Sequence, residues 1–204
     1  NHFLPENLLR NLPVPPWGEK AAQYILWQTM LLAYNRLDVI TTPTETAANI
    51  LRQQAIRVPV HPISCGVDTE RFFPDQSVNR EAMRRKYGLF PRRALFLYVG
   101  RLDHEKRLDV MLDALHILRR DDLQLAIAGR GLHQKALRAK AKALALGENV
   151  RFLGYVPAGD LPGLLNSADI FVMPSEAELQ SIATLEAMAS GLPILAANAR
   201  ALPE

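Results

Sequence analysis

Apolar residues along this chain recur in two spacings that alternate over most of its length. Short apolar runs predict buried strands, because strands covered on both faces carry continuous hydrophobic sequence. Such runs cover residues 94–99, 123–128, 150–153, 169–173 and 194–197. Helical spacing of apolar residues predicts helices at about 78–87, 106–119, 132–146, 158–166 and 181–190. The alternation predicts an α/β domain with a doubly wound, parallel, Rossmann-like sheet and right-handed crossovers.

The first third of the chain alternates in the same way. A helix is expected over 18–37, a strand over 38–42, a helix after the N-cap Thr44 and a strand over 58–64. Trp17 and Trp27 are expected in the core. After residue 64, Gly and Pro residues punctuate a stretch without helical or strand periodicity, which predicts a domain boundary.

The domain prediction follows from these patterns. We expect the end of a first α/β domain over 1–63, a linker over 64–74 and the sheet domain over 75–204. The chain starts at Asn1 rather than Met, and its last predicted strand has no closing helix. We therefore expect part of a longer protein, with both domains incomplete and half of the active-site cleft outside this chain.

Composition narrows the class of protein. A hydrophobic content of 49% is ample for a core, yet no run reaches the roughly 18 apolar residues of a membrane span. The single cysteine, Cys65, excludes an internal disulfide framework and suits a reducing compartment. A cytoplasmic protein is expected.

The net charge of +3 comes largely from one basic run. Its members are Arg80, Arg84, Arg85, Lys86, Arg92 and Arg93. The run is either a solvated helix face or a contact with anionic lipid at the inner face of a membrane. No aromatic stacking platform or recognised motif accompanies it, which argues against nucleic acid.

Two carboxylates lie in the predicted loop and helix that follow the strand at 169–173. Ligands of open α/β sheets bind at such carboxyl ends of strands. Glu178 lies in the loop and Glu186 in an otherwise small and apolar helix, about 10 Å further on at helical rise. Glu186 alone could be a solvated edge or half of a salt bridge. With the helix N-terminus at Ser181 between them, the pair suits a ligand with hydroxyls at both ends and phosphates in the middle.

The spacing Glu178-x7-Glu186 resembles the E-x7-E signature of retaining glycosyltransferases of the GT-B fold, family 4. The resemblance implies that Glu178 contacts the transferred sugar and Glu186 the nucleotide ribose. Where the family commonly has Gly-Phe-Gly, this chain has Leu179, Gln180 and Ser181, and similar Gln-Ser phrases occur in lipid-glucosylating members. The donor-binding candidates here are Gln180, Ser181, Ile182 and Ala183.

A second motif follows the strand at 94–99. Cations at the carboxyl end of a strand suggest an anionic ligand, although acidic neighbours could pair them. The stretch resembles the family's GR-x4-K motif, which implies that Gly100 borders the donor and that Arg101 and Lys106 hold its diphosphate.

Two further loops belong to the same resemblance. Gly129-Arg130-Gly131 lacks the third glycine of a dinucleotide fingerprint, and the family places this loop beside the nucleotide, usually with an acid where Arg130 stands. Residues 152–156, FLGYV, match the loop that contacts the base and contribute Gly154, Tyr155 and Val156. Gly154 could equally serve a tight turn.

The ends of the first domain carry weaker resemblances. His2 in NHFLPEN is either surface decoration near a terminus or the family's active-site His near the acceptor. The phrase PISCGVDTERFFP resembles the interdomain linker, with Cys65 where Asn is usual.

The resemblance implies a retaining transfer of a hexose from a UDP-, GDP- or ADP-sugar to a lipid or glycan acceptor. No cluster of Asp, Glu or His has the spacing of a diphosphate-bound metal site, so we expect no cofactor and no obligatory metal. The alternatives are another GT-B enzyme, such as a sugar-nucleotide epimerase or glycogen synthase, and a non-catalytic nucleotide-sugar-binding or membrane-docking module.

Overall fold

A computed structural model describes Pro15 and residues 17–204 of the protein. These residues form two compact units. The first contains the described residues up to Cys65 together with 177–180 and 198–204, and the second contains Gly66–Glu176 and Ser181–Ala197. His2 and its segment lie outside the described residues.

The first unit is a small α/β layer. Its elements are α1 (Glu19–Tyr34), β1 (Ile40–Thr42), α2 (Glu45–Arg52) and β2 (Val60–Pro62). The two strands pair in parallel, and the side chain of Thr44 caps α2 by accepting a hydrogen bond from the Ala47 N–H at 3.1 Å. Trp27 packs in the core, as expected. The same expectation for Trp17 is wrong, since Trp17 is 88% exposed in the turn before α1, where no helix face holds it against the core.

The second unit alternates strands and helices as the sequence predicts. Its strands are β3 (Ala94–Val99), β4 (Leu123–Ala128), β5 (Val150–Gly154), β6 (Ile170–Met173) and β7 (Ile194–Ala196). Its helices are α3 (Arg80–Lys86), α4 (Leu108–Leu118), α5 (Gln134–Ala143), α6 (Leu161–Ser167) and α7 (Ile182–Ala189). Short 3₁₀ turns precede α4 at His104–Lys106 and α6 at Ala158–Asp160.

The five strands form one parallel sheet in the order β5-β4-β3-β6-β7, which confirms the predicted class. Every residue of β4 is buried, because this strand lies inside the sheet. The chain leaves β3 towards β4 and β5 and later returns to β6 on the other side of β3. The carboxyl ends of β3 and β6 therefore form the topological switch point, where ligands of such sheets bind.

Helix α4 starts later than the sequence pattern predicts. Arg107 has φ 49° and lies in the left-handed region, which ends the 3₁₀ turn and lets α4 begin at Leu108. A change of backbone hand at one residue leaves no trace in the spacing of apolar residues, so periodicity could not reveal it.

The basic run is not a solvated helix face throughout. Arg84 is buried and pairs with Asp169 at 2.8 Å between Nη2 and Oδ2, and Arg80 also contacts Asp169. Three further members have acidic partners, the pairs being Arg85 with Glu81, Lys86 with Asp160 and Arg93 with Glu148. The solvated-face interpretation is wrong for Arg84, because α3 packs this residue against the amino end of β6, where a carboxylate and carbonyl groups receive it.

Within residues 17–204, no helix combines the length and the apolar character that a membrane crossing requires.

Candidate active site

The loops that follow β3, β4 and β5 line a cavity of about 310 Å³. Five predicted donor-site residues lie on its wall, namely Gly100, Arg101, Gly129, Tyr155 and Val156. The other lining residues are Val99, Ala128, Arg130 and Leu161. Gly154 borders this group, since its carbonyl accepts a hydrogen bond from the Gly129 N–H at 2.7 Å. Residues widely separated in sequence thus converge because parallel strands end at one edge of the sheet.

The two glycines of the β4 loop are required by close backbone packing. A Cβ at Gly129, where φ is +132°, would lie 1.8 Å from the Gly100 carbonyl oxygen. A Cβ at Gly131 would lie 2.5 Å from the backbone of Leu102. The Leu102 N–H also donates to the Arg130 carbonyl at 3.0 Å. The G-x-G phrase therefore joins the β3 and β4 loops into one wall of the cavity.

Arg101 is held by two buried carboxylates. Its guanidinium contacts Asp103 Oδ2 at 2.8 Å and Glu105 Oε1 at 3.3 Å, while 69% of the side chain remains exposed. Asp103 and Glu105 are 7% and 5% exposed. Because the two acids fix one part of the planar fork, its remaining N–H groups face solvent in a set orientation and can donate to phosphate oxygens.

Tyr98 supports the same loop from below. This fully buried residue donates a hydrogen bond from its hydroxyl to the Arg101 carbonyl at 2.7 Å. A Cβ at Gly100 would lie 2.8 Å from the same hydroxyl, so the loop passes directly over the ring. Sequence reasoning missed Tyr98, although a hydroxyl within the apolar run ALFLYV needs a partner once it is buried.

On the expectation of a sugar transferase that the resemblance gives, we predict that Tyr98→Phe lowers the turnover of the whole protein by roughly fivefold, because losing one hydrogen bond of about 1 kcal/mol releases the Arg101 loop. Steady-state kinetics with a nucleotide-sugar donor would measure this effect. Tyr24→Phe is the matched control, since Tyr24 is 65% exposed in α1. Equal rates in the two variants would show that the hydroxyl does not position Arg101.

The β3 and β6 loops meet at the switch point. The Glu105 carbonyl accepts hydrogen bonds from the Glu176 N–H at 3.2 Å and from the Ser175 hydroxyl at 3.4 Å. Arg107 forms an ion pair with Glu176, which raises the pKa of Arg107. Lys106 is half-buried in the 3₁₀ turn between these contacts. The Arg101–Lys106 motif therefore lies at the carboxyl edge of the sheet, where the GR-x4-K resemblance implies a diphosphate.

Glu186 lies half-buried in the middle of α7 and makes no ion pair or side-chain hydrogen bond with any residue that the structure describes. Burial raises its pKa, and the charge of Arg71 partly opposes that shift. The interpretation of Glu186 as half of a salt bridge is therefore not supported. A desolvated carboxylate without protein donors is suited to accept hydroxyl groups from a ligand.

The start of α7 exposes backbone donors. The Ser181 hydroxyl caps the helix by accepting from the Thr184 N–H at 3.3 Å and from the Thr184 hydroxyl at 2.7 Å. The first N–H groups of a helix have no carbonyl partner within the helix. In α7 these groups belong to Ile182 and Ala183. These donors and the helix dipole favour an anion.

Glu178 and Gln180 belong to the first unit. Glu178 is 8% exposed, and its carbonyl accepts from the Ala201 N–H at 3.2 Å. The Gln180 amide accepts from the Cys65 N–H at 2.9 Å and donates to the Ser64 hydroxyl at 2.7 Å. Gln180, one of the three residues that stand where the family commonly has Gly-Phe-Gly, thus binds Ser64 and Cys65 at the start of the predicted linker.

The chain belongs to the family of group 1 glycosyl transferases, whose profile matches residues 79–204. It is 33% identical over 178 residues to mannosylfructose-phosphate synthase of Agrobacterium fabrum, covering 81% of this chain and 39% of that protein. It is 38% identical over 148 residues to a GDP-mannose-dependent alpha-(1-6)-phosphatidylinositol monomannoside mannosyltransferase of Mycolicibacterium smegmatis, covering 68% and 38% of the two chains. The chain thus spans well under half the length of these curated relatives.

The fold is also shared with a solved structure. Sucrose-phosphate synthase from Thermosynechococcus elongatus superposes with a TM-score of 0.80 at 20% identity, over 98% of this chain and 50% of that one. The expected GT-B type of fold is confirmed.

Proposed function

We propose that the whole protein is a retaining hexosyltransferase that moves a sugar from a UDP-, GDP- or ADP-sugar to a lipid or glycan acceptor. The observation that carries the proposal is the cavity at the carboxyl ends of β3, β4 and β5, with the clamped Arg101 on its wall. Family membership and the names of the relatives, a synthase and a mannosyltransferase, support it. The E-x7-E spacing supports retention of anomeric configuration.

The donor would lie across the carboxyl edge of the sheet. Gly129 lets the β4 loop pack directly against the Gly100 carbonyl, where a Cβ would lie at 1.8 Å, so the two loops form one wall along which the nucleotide would lie. Tyr155, which is 67% exposed, and Val156 would border the base. Glu186 would accept the ribose hydroxyls, and Glu178 would contact the transferred sugar.

The groups around the diphosphate would have to stabilise the negative charge that develops during transfer. When the bond between the anomeric carbon and the phosphate oxygen breaks, its electron pair leaves with the diphosphate. The fork of Arg101 and the point charge of Lys106 would stabilise that charge, assisted by the N–H groups of Ile182 and Ala183. We propose that these groups suffice and that no metal is required.

The acceptor side and the cellular location are also proposals. The Mycolicibacterium relative is named for a phosphatidylinositol-based acceptor, which supports a lipid acceptor. We propose that the protein is cytoplasmic and acts at the inner face of a membrane. No role in binding nucleic acid is proposed. The pairing of the basic run with Asp169, Glu81, Asp160 and Glu148 makes that run poorly suited to bind lipid.

We predict that Glu186→Ala in the whole enzyme weakens nucleotide binding by roughly tenfold or more, because a carboxylate that accepts two hydroxyl groups is lost. Glu178→Ala should mainly lower turnover. Isothermal titration with UDP, GDP and ADP, followed by assays of transfer and of nucleotide release with and without acceptor, would measure both effects. Release that does not depend on acceptor, or no release at all, would contradict a transferase.

The pH dependence offers a matched control. Because burial raises the pKa of Glu186, its carboxylate should protonate at a higher pH than an exposed Glu, and nucleotide affinity should fall as pH drops through that pKa. Glu186→Gln should bind more weakly at neutral pH and lose this pH dependence. The same pH profile in wild type and Glu186→Gln would exclude Glu186 from the nucleotide site.

A further inference from the structure

The region around α5 carries positive charge that its own acids do not balance. Residues 123–159 contain six Lys and Arg side chains and a single acid, Glu148. Glu148 pairs with Arg93 at 3.7 Å, outside this region. Lys140 is balanced by Asp113 at 2.6 Å. The remaining cations are left without an acidic partner among the described residues.

Three of these cations border a groove of about 510 Å³ between α5 and the start of β5. They are Arg138, Lys142 and Arg151. The apolar part of its lining is formed by Ala141, Ala145, Leu146, Val150 and Phe152, and the lining contains no Asp or Glu. The groove therefore combines a cationic rim with an apolar floor.

The rim continues along one face of α5. Lys135, Arg138 and Lys142 are spaced by three and four residues, which places them on the same side of the helix, and all three are exposed. The Arg138 Cζ lies 4.5 Å from the centroid of the Phe152 ring, so the charged guanidinium covers one face of the ring. We call the groove and this helix face the α5 basic surface.

We propose that the α5 basic surface binds the phosphate headgroups of anionic phospholipid at a bilayer surface. Unbalanced Lys and Arg attract phosphate, and the adjacent apolar floor suits the glycerol and first acyl carbons that lie just below it. A row of cations along one helix face matches an array of headgroups better than a single small anion. Nucleic acid is a poorer fit, because Arg138 covers the one aromatic ring in the groove lining.

This inference rests on the proposed membrane contact and not on sugar transfer itself. It assigns the contact to α5 in place of the basic run at 80–93, whose charges are mostly paired. The α5 basic surface includes none of the residues that line the donor cavity, so lipid binding and donor binding can be measured separately.

The test compares two charge-matched variants of the full-length protein in sedimentation with vesicles. Arg138→Gln/Lys142→Gln removes two charges from the groove, and Arg85→Gln/Arg92→Gln removes two from the basic run. Vesicles of phosphatidylglycerol and phosphatidylcholine are compared with pure phosphatidylcholine vesicles. We expect wild type to bind only the anionic vesicles, more weakly as salt rises, and the groove variant to bind roughly 30-fold more weakly. The control variant should stay within about threefold of wild type, given that its charges are partly paired.

Each other outcome overturns a defined part of the inference. Equal losses in the two variants, or no loss in either, would remove the α5 basic surface as the site while leaving the membrane contact standing. Failure of wild type to bind anionic vesicles would overturn both, and capture of the protein by heparin or RNA without vesicle binding would point to a polyanionic macromolecule. Thermal shifts with nucleotide that match wild type in both variants would show that the donor site is intact, so a failure here is distinct from failure of the proposed transferase.

Discussion

Replacing Arg101 or Lys106 with alanine should lower the rate of sugar transfer in the whole enzyme by roughly 10² or more, the scale of losing one donor that stabilises charge in a transition state. Negative charge develops on the diphosphate as the sugar leaves, and fixed cations act most strongly where charge develops. Asp103 and Glu105 hold the Arg101 guanidinium at 2.8 and 3.3 Å, so in the proposed mechanism Arg101 would be oriented before the donor binds.

The comparison of substitutions at Arg101 separates charge from geometry. Arg101→Lys keeps the charge but loses the planar fork, so we expect an intermediate rate. Arg101→Ala also leaves Asp103 and Glu105 buried without their cation, so its thermal unfolding has to be recorded beside its kinetics. Arg92→Ala is the control, because Arg92 is exposed and lies outside the cavity.

Single-turnover rates with the donor identified by nucleotide titration would give the result. A metal chelator should leave a substantial part of the activity, as expected if protein cations do the work of a metal. Near-normal rates in both alanine variants, or complete loss of activity with chelator, would show that another group stabilises the diphosphate.

The sheet was predictable because its inner strands β3, β4 and β6 are largely buried. Continuous apolar runs such as residues 94–99 and 123–128 are distinct from the helical spacing between them, so strand positions and the parallel class follow from hydrophobic pattern alone. Gly129 was visible as part of a loop motif. That it touches the Gly100 carbonyl was not, since this packing joins two loops 29 residues apart.

The supporting residues of the site were harder to foresee. Asp103 and Glu105 look like the ordinary acids of a helix start, and only their burial beside Arg101 shows that they orient it. The basic run was misjudged for the same reason. The sequence gives the charge of Arg84 but not its contact with Asp169. This carboxylate lies 85 residues later, directly before β6.

Asp169→Asn should lower the free energy of unfolding by about 3 kcal/mol, because it leaves the buried guanidinium of Arg84 without a counter-charge. This is the lower end of the usual range for breaking a buried pair, since the Asp169 side chain is 37% exposed and partly screened. The substitution keeps the shape of the side chain. Carbonyl groups of Ser167, Pro91 and Arg93 still accept hydrogen bonds from Arg84 but supply no full charge.

The difference in free energy of unfolding between wild type and Asp169→Asn should depend on pH with a definite sign. Burial tends to raise the pKa of Asp169, but the hydrogen bond from the Leu95 N–H, the charge of Arg84 and the side-chain hydrogen bonds from Arg80 and Arg84 outweigh it, and the pKa is lowered. A lowered pKa contributes stability that is complete above the ordinary Asp value of about 3.9 and is lost as pH falls through the lower folded value. Urea unfolding should therefore show a constant gap between wild type and Asp169→Asn from neutral pH to about pH 5, and a shrinking gap in stronger acid. Asp121→Asn, at an exposed position, should stay within about 0.5 kcal/mol of wild type, and a gap equally small for Asp169→Asn would show that Arg84 needs no counter-charge.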